Sequence, residues 1–373
     1  MNNISTKGEY LVYLLHCAFN EKEAEFVEGF DYSALLELAK AHQVLNAIVP
    51  VLSSFDGLPS NIAEELRVYN LNCVRNTLMH NSERGAIFDE LSQQGIRYMP
   101  LKGYIIRNYY PKQSMRQMGD TDIYFDKSNR DAVAEIMANR GYTNFSSVEN
   151  SDDYKNEAGL VFEFHWDLFY DEAEFHPVFD NLWEHGTTDR DNPLMYNMGI
   201  NDLYVHSVCH MYKHYTTGGC GIRFLADTYL MLRRDNDNLD WQWIDSKMRE
   251  YGIADFEKTV RELALAMFDD CKLDDRQQAL LDTFMSFGIF GLESNKVNAR
   301  VRSFANGEEI NNSLRVRYIF SRLFPSKKKM MEDYGILNKH GCLFPAFYIY
   351  RLFRAVTHIK RTCKEIDYIN NSD

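Results

Sequence analysis

The sequence predicts an α+β protein in which a small mixed-sheet core stands between two helical regions. Three observations carry this. Apolar residues recur at spacings of three and four between residues 8 and 95, as in "YSALLELAKAHQVLNAIVPVL". At Gly95 the pattern changes to short apolar runs punctuated by glycine and proline. From about residue 200 onward the helical period returns, with breaks near Gly218-Gly219, Asp235 to Asp240, Gly252 and Pro325. The expected divisions are a helical region over 1–95, the α/β core over 96–190 and a second helical region over 191–373.

Taken in order, residues 60–94 read as one long helix or two short ones, capped by Ser60 and stopped at Gly95. "IRYMPLKG" is a short strand running into a glycine, and "YIIRNYY" is a short helix ended by Pro111. "DTDIYF" reads as a strand. "SNRDAVAEIMANRG" reads as a helix with Ser128 as N-cap and Gly141 as its stop, and "LVFEFHWDLF" as the next strand. The chain shows no internal repeat and no low-complexity segment.

Hydrophobic residues make up 45% of the chain and aromatics 14%, which supplies a sizeable core and argues against global disorder. The net charge of -13 argues against a protein whose main task is coating DNA or RNA, since such binding comes from neutralising phosphates. It leaves room for a small anionic substrate that arrives complexed to metal. The seven cysteines (Cys17, Cys73, Cys209, Cys220, Cys271, Cys342 and Cys363) are scattered, with no C-x-x-C pair. That fits free thiols in a reducing compartment better than a disulfide framework or a zinc knuckle. With no signal peptide and no apolar span of about 20 residues, the expectation is a soluble cytoplasmic protein.

The chemistry concentrates in "MRQMGDTDIYF", where Asp120 and Asp122 stand two apart in a strand. Strand side chains alternate faces, so both carboxylates point the same way and repel each other. A divalent cation shared between them would offset that cost. Downstream, "LVFEFHW" puts Glu163 and His165 on one strand face and Phe162, Phe164 and Trp166 on the other. A carboxylate in so apolar a strand is costly unless something positive faces it. Lys102 and Arg116 supply positive charge nearby, and Gly103 follows a strand where backbone N–H groups could approach a phosphate. Three carboxylates from two neighbouring strands suit Mg²⁺ or Mn²⁺, hard cations often shared between protein and substrate phosphates. The plainer reading of each is a charged strand edge, a turn glycine and surface cations.

"LKG", "RQMGDTDIYF" and "FEFHWDL", in that order, resemble the nucleotidyltransferase superfamily with the DNA polymerase β-like fold. More narrowly, they resemble the bacterial uncharacterised nucleotidyltransferase family. "LAKAHQVLNAIVPVL" and "HMYKHYTTGGCGIRFLADTYLML" look like that family's helical flanks, so the resemblance covers most of residues 30–250. It implies a small mixed-sheet nucleotidyltransferase core that moves a nucleotidyl group from an NTP to a hydroxyl-bearing acceptor and releases pyrophosphate. Asp120 and Asp122 would match the metal-binding acids, and Glu163 the third acid, which binds a second metal or polarises the acceptor hydroxyl. Gly103 would match the glycine beneath the triphosphate. The chain departs from the pattern there, with Lys102-Gly103-Tyr104 in place of the usual Gly-Ser or Gly-Gly, 17 positions ahead of Asp120.

The alternative is a catalytically weak nucleotide-binding or protein-interaction module on the same fold. A glycosyltransferase using Asp-x-Asp fits less well, because the α/β stretch ahead of the acids is too short. His206, His210 and His214 share a helical face at successive turns. H-E-x-x-H is absent, so zinc is disfavoured, and His210 and His214 are the preferred contacts to nucleotide or to the acids. Asp227, a lone acid on an apolar helix, could pair with one of these histidines or with Arg223, or could face water. His165 reads equally well as a core or a catalytic histidine. The acceptor is a small molecule or protein rather than a nucleic acid on grounds of charge. The basic, aromatic segment from Leu314 to Lys364 reads as helix core with a wet basic side, or as a surface that contacts a membrane or polyanion.

Overall fold

The computed structural model describes residues 6–169, 177–269, 272–288, 293–305, 308–327, 330–331, 334–338, 340–357 and 366–369. Four helices open the chain: α1 (Lys7–Phe19), α2 (Tyr32–Ala41), α3 (Leu45–Leu52) and the 34-residue α4 (Ser60–Gln93). Thr6 caps α1 in a capping box with Glu9. In α4, Pro59 occupies the cap position and Ser60 is the first helical residue, contrary to the sequence expectation, because the fixed φ of proline starts the helix one residue earlier. Gly95 takes the left-handed conformation (φ 71°) that ends it.

The α/β stretch follows as β1 (Tyr98–Pro100), α5 (Lys102–Ile106), β2 (Thr121–Phe125), α6 (Arg130–Asn139), β3 (Thr143–Ser147), β4 (Ser151–Lys155) and β5 (Val161–His165). Ser128 does not cap α6. It lies in a 3-10 turn, Lys127–Asn129, whose backbone is already helical and cannot take the extended cap geometry. Next come α7 (Leu182–His185), the two-residue strands β6 (Thr187–Thr188) and β7 (Tyr196–Asn197), α8 (Ile200–Thr217), α9 (Arg223–Asp235), α10 (Trp241–Glu250), α11 (Ala254–Phe268) and α12 (Asp275–Phe287). β7 is a strand inside the region expected to be helical, and it pairs with β6. The chain closes with α13 (Glu293–Ala305), α14 (Asn312–Leu323) and α15 (Phe344–Thr357).

The main sheet has order β1-β2-β5-β4-β3, and it is mixed: β2 and β5 are parallel, the other neighbours antiparallel. With helices before and after a sheet of this kind, the fold is α+β. One sheet face is apolar. Ile123, Phe125, Tyr154, Phe162 and Phe164 pack there against Ile87, Phe88 and Leu91 of α4 and Val133, Ile136 and Met137 of α6. Phe162 and Phe164 are fully buried, and each is worth about 3–5 kcal/mol on truncation to alanine. The free edge of β1 is covered where Tyr98 N–H donates to the Leu194 carbonyl at 2.9 Å.

Backbone contacts divide the chain into two compact units, residues 1–213 with 220–289, and residues 214–219 with 290–373. The second has a small core of Val297, Val301, Ala305, Leu314, Tyr318 and Ile369. Within the basic, aromatic segment, Val316, Phe320, Phe324, Ile349 and Phe353 are exposed; Lys328, Lys329 and residues 358–364 lie outside the described residues. Cys17, Cys73, Cys209, Cys220 and Cys342 are free thiols, while Cys271 and Cys363 lie outside the described residues. Among the described residues no helix is long and apolar enough to cross a membrane.

Candidate functional site

The parallel register of β2 and β5 sets Asp122 opposite Glu163 and Tyr124 opposite His165. Directly opposed residues share a face, so Asp122, Glu163 and His165 lie together on the side away from the phenylalanine core. Asp120 immediately precedes β2 and, two positions from Asp122, belongs to the same side at the mouth of the strand. On the other flank of β5, Asp153 of β4 is opposite Glu163. The hydrophobic alternation that buries Ile123, Phe162 and Phe164 therefore also gathers the carboxylates.

His165 Nε2 stands 3.3 Å from Asp122 Oδ1 and 3.7 Å from Glu163 Oε2. Lys102 Nζ reaches Asp122 Oδ2 at 3.5 Å. The lysine is placed by backbone geometry: Leu101 N–H donates to the Asp122 carbonyl at 3.0 Å, so α5 starts beside the acid. One ligand atom each from Asp122, Glu163 and His165 lies within 4.8 Å of the others.

The charges are unevenly held. Asp122 is buried, which penalises its charge, but Lys102 and His165 outweigh that and keep it well below the usual carboxylate range. For His165, too, burial opposes the charge; the hydrogen bonds to Asp122 and Glu163 win, and the imidazole rises to about 9. Asp120 keeps solvent access as a residue, yet protein crowds its carboxyl, and this desolvation together with Asp122 and Glu163 lifts it to about 6. Asp153 is raised as well, by burial first and Glu163 second. The face is thus short of positive charge at Asp120 and Asp153.

Helices α8 and α9 bring two more groups into range. His206 is buried and held neutral, lowered to about 3 by burial and then by Lys102, and its Nδ1 has no hydrogen-bond partner. Its ring packs edge-on to Phe169 and Phe179. Arg223 is depressed by burial and by Arg116, while Asp227, Tyr110 and Asp120 oppose the shift.

Arg116 is engaged elsewhere. Its Nε and Nη2 donate to Asp227 at 2.9 and 2.8 Å, and Tyr110 donates to the same carboxylate at 2.7 Å. Asp227 therefore faces neither water nor a histidine. Gly103 is in the first turn of α5, and a Cβ there would meet Met118 Cε at 3.0 Å and Arg116 Nη1 at 3.4 Å. The glycine lets the loop ahead of β2 close onto α5, so the space above it is filled by protein side chains. The His210 ring lies tilted against Phe224, 5.7 Å between centroids, and 6.3 Å from the His206 ring. His214 belongs to the second unit.

Sequence reasoning missed Asp153 and left His165 undecided. "SDDYK" carries two aspartates and has poor strand propensity, which hid β4. The signal available was the turn at Asn156 and Gly159 between it and β5, where Gly159 N–H donates to the Asn156 carbonyl.

A mixed sheet with one apolar face and a row of carboxylates on the other defines an α+β protein with an acidic sheet face. The family model described as "Uncharacterised nucleotidyltransferase" matches residues 28–269, well over half of the chain. The protein belongs to that family, and its general class is nucleotidyltransferase. No functionally curated protein matches it. Among solved structures, the antibiotic-resistance factor ANT(2'')-Ia is similar at 12% identity over 57% of this chain and 92% of that one, with a TM-score of 0.26.

Proposed function

We propose that this nucleotidyltransferase moves a nucleotidyl group from a nucleoside triphosphate to a hydroxyl-bearing acceptor, a small molecule or a protein, in a Mg²⁺- or Mn²⁺-dependent reaction in the cytoplasm. The observation that carries the reading is the opposition of Asp122 and Glu163 on parallel strands, with Asp120 beside them raised first by desolvation and then by their charge. The donor set suits a hard cation, because carboxylate oxygens predominate and the residual repulsion at Asp120 favours a further positive charge. Asp120, Asp122 and Glu163 would hold it. A bound divalent ion would neutralise triphosphate charge and favour ionisation of an attacking hydroxyl.

The chain's own groups supply the rest. The acceptor oxygen bonds to the α-phosphorus, the bond from that phosphorus to the bridging oxygen breaks, and pyrophosphate leaves. Glu163 takes the hydroxyl proton. Lys102, next to Asp122, presents positive charge to the phosphates, and His165 holds a proton at Nε2 between Asp122 and Glu163. Gly103 lets the loop with Arg116 close over α5, and His210 contacts the nucleotide beside Phe224.

The test is pyrophosphate release from each NTP, with and without Mg²⁺, with mass spectrometry of candidate acceptors. Wild type should release pyrophosphate in the presence of its acceptor, and Asp122→Ala should not. A second reading, a nucleotide-binding module without transfer, is favoured by one feature: Lys102 and His165 already neutralise Asp122 and Glu163 internally. Nucleotide binding that is equally tight without Mg²⁺ and in Asp122→Ala would establish that reading instead.

A further inference from the structure

Most buried or half-buried arginines of the first unit have a carboxylate to answer them. Arg116 pairs with Asp227, Arg130 with Asp152, and Arg140 with Glu83 and Glu90. Two do not. Arg84 of α4 is 5% exposed, and Arg107, just past α5, is 4% exposed. Arg107 donates from Nη1 to Asn81 Oδ1 at 2.8 Å and from Nη2 to Gln113 Oε1, and its Nε has no partner. Arg84 donates to the same Asn81 oxygen at 2.7 Å and stacks 4.6 Å over the Tyr104 ring. Amide oxygens satisfy donors without cancelling charge, so two guanidinium groups remain buried with no counter-ion among the described residues. That arrangement is costly unless an anion arrives. His80, one turn before Arg84, adds a buried Nδ1 with no partner.

The space for an anion is present. A pocket of 190 Å³ between α4 and the stretch from Arg107 to Met118 is lined by Asn76, His80, Arg107, Gln113 and Gln117, together with Arg116. No carboxylate is among its lining residues, so unlike the acid face of the sheet it offers no anionic oxygen to a hard divalent ion. Burial, and then Arg107, hold the Arg84 guanidinium down to about 10, consistent with cations crowded together without compensation.

We propose that this pocket binds a phosphate-type oxyanion free of metal, with Arg107 as the charged donor and His80, Asn76 and Gln117 completing the polar lining. The planar guanidinium suits phosphate oxygens, and the side-chain amides can donate to the remaining lone pairs. The anion is inorganic phosphate, or it is a diphosphate such as the pyrophosphate of the proposed reaction. The site itself does not depend on that reaction.

Calorimetric titration of the full chain in EDTA, with inorganic phosphate and separately with pyrophosphate, tests this. At least one anion should saturate a single site, and whichever binds more tightly names the source. Arg107→Gln should weaken it about tenfold or more. Asn76→Asp, on the exposed part of α4, should do the same by placing a like charge at the rim, and it decides the matter if Arg107→Gln does not fold. Asp122→Ala should bind the anion as wild type does. Saturation by neither anion would overturn the proposal, as would binding that survives both Arg107→Gln and Asn76→Asp. Loss of binding in Asp122→Ala alone would place the anion at the sheet and overturn it too.

Discussion

Asp120 and Asp122 are two residues apart and titrate in opposite directions. Asp122 has Lys102 and His165 against it and stays ionised, while Asp120, desolvated and beside its neighbours' negative charge, rises to about 6. In Asp122→Ala the fold should survive, because Asp120 and Glu163 lose a like charge. His165 should lose its strongest support, and its imidazole should fall from about 9 by about one unit or more. NMR titration of the histidine ring would show this; an unchanged His165 would contradict the pairing. Mg²⁺ should raise the melting temperature of wild type more than that of the variant. A second residue reports on pH. His42 is fully buried and lowered to about 4, chiefly by burial. Its Nδ1 accepts the Ile222 N–H at 3.3 Å, which requires the neutral ring. The unfolded chain takes up a proton near pH 6.5 that the folded chain refuses until about pH 4. Stability should therefore fall as pH drops through that window, by about 3 kcal/mol at most. Urea midpoints measured from pH 7 to 4 should show a shallower decline for His42→Gln than for wild type.

At the scale of elements, the buried Arg116–Asp227 pair ties the loop ahead of β2 to α9. Removing one partner leaves the other charge buried and alone, so Asp227→Ala should cost about 3–5 kcal/mol in urea unfolding. The double change Arg116→Met with Asp227→Leu should cost less than Asp227→Ala alone, because it removes both charges and keeps apolar volume. If it cost more, the hydrogen bond from Tyr110 would be a larger part of the link than the ion pair. The elements that strong periodicity marked, such as α4 and α6, and the strands around Asp122 and Glu163 follow from local pattern. β3 and β4 did not show in the pattern, since "TNFSS" and "SDDYK" are mostly polar and are strands only because β5 offers them a partner.

Over the whole molecule, the first unit contains the sheet, the acid face and the pocket around Arg107. A chain ending at residue 289 keeps all of them. It should unfold cooperatively in urea and retain the Mg²⁺-dependent thermal shift of the full chain. A non-cooperative transition with dye-binding apolar surface would show that the first unit does not stand alone. The charge of -13 belongs to the whole chain, and it says little about any one site: a face crowded with carboxylates and a pocket lined by Arg107, which has no carboxylate partner among the described residues, coexist in the same unit.

The sequence by itself determined the α+β class, the strands that carry Asp122 and Glu163, and the polar face within each strand, because strand alternation is a local property. It also singled out Lys102, whose place follows from the short step between β1 and α5. Which strands become neighbours was decided only by tertiary structure, and with it the approach of His165 to Asp122 and of Asp153 to Glu163. The same holds for Arg116, 111 residues from Asp227, and for Arg84 and Arg107, whose shared lack of a carboxylate exists only once α4 and the end of α5 have packed. A residue's face follows from its own segment, but its counter-charge comes from wherever the chain returns.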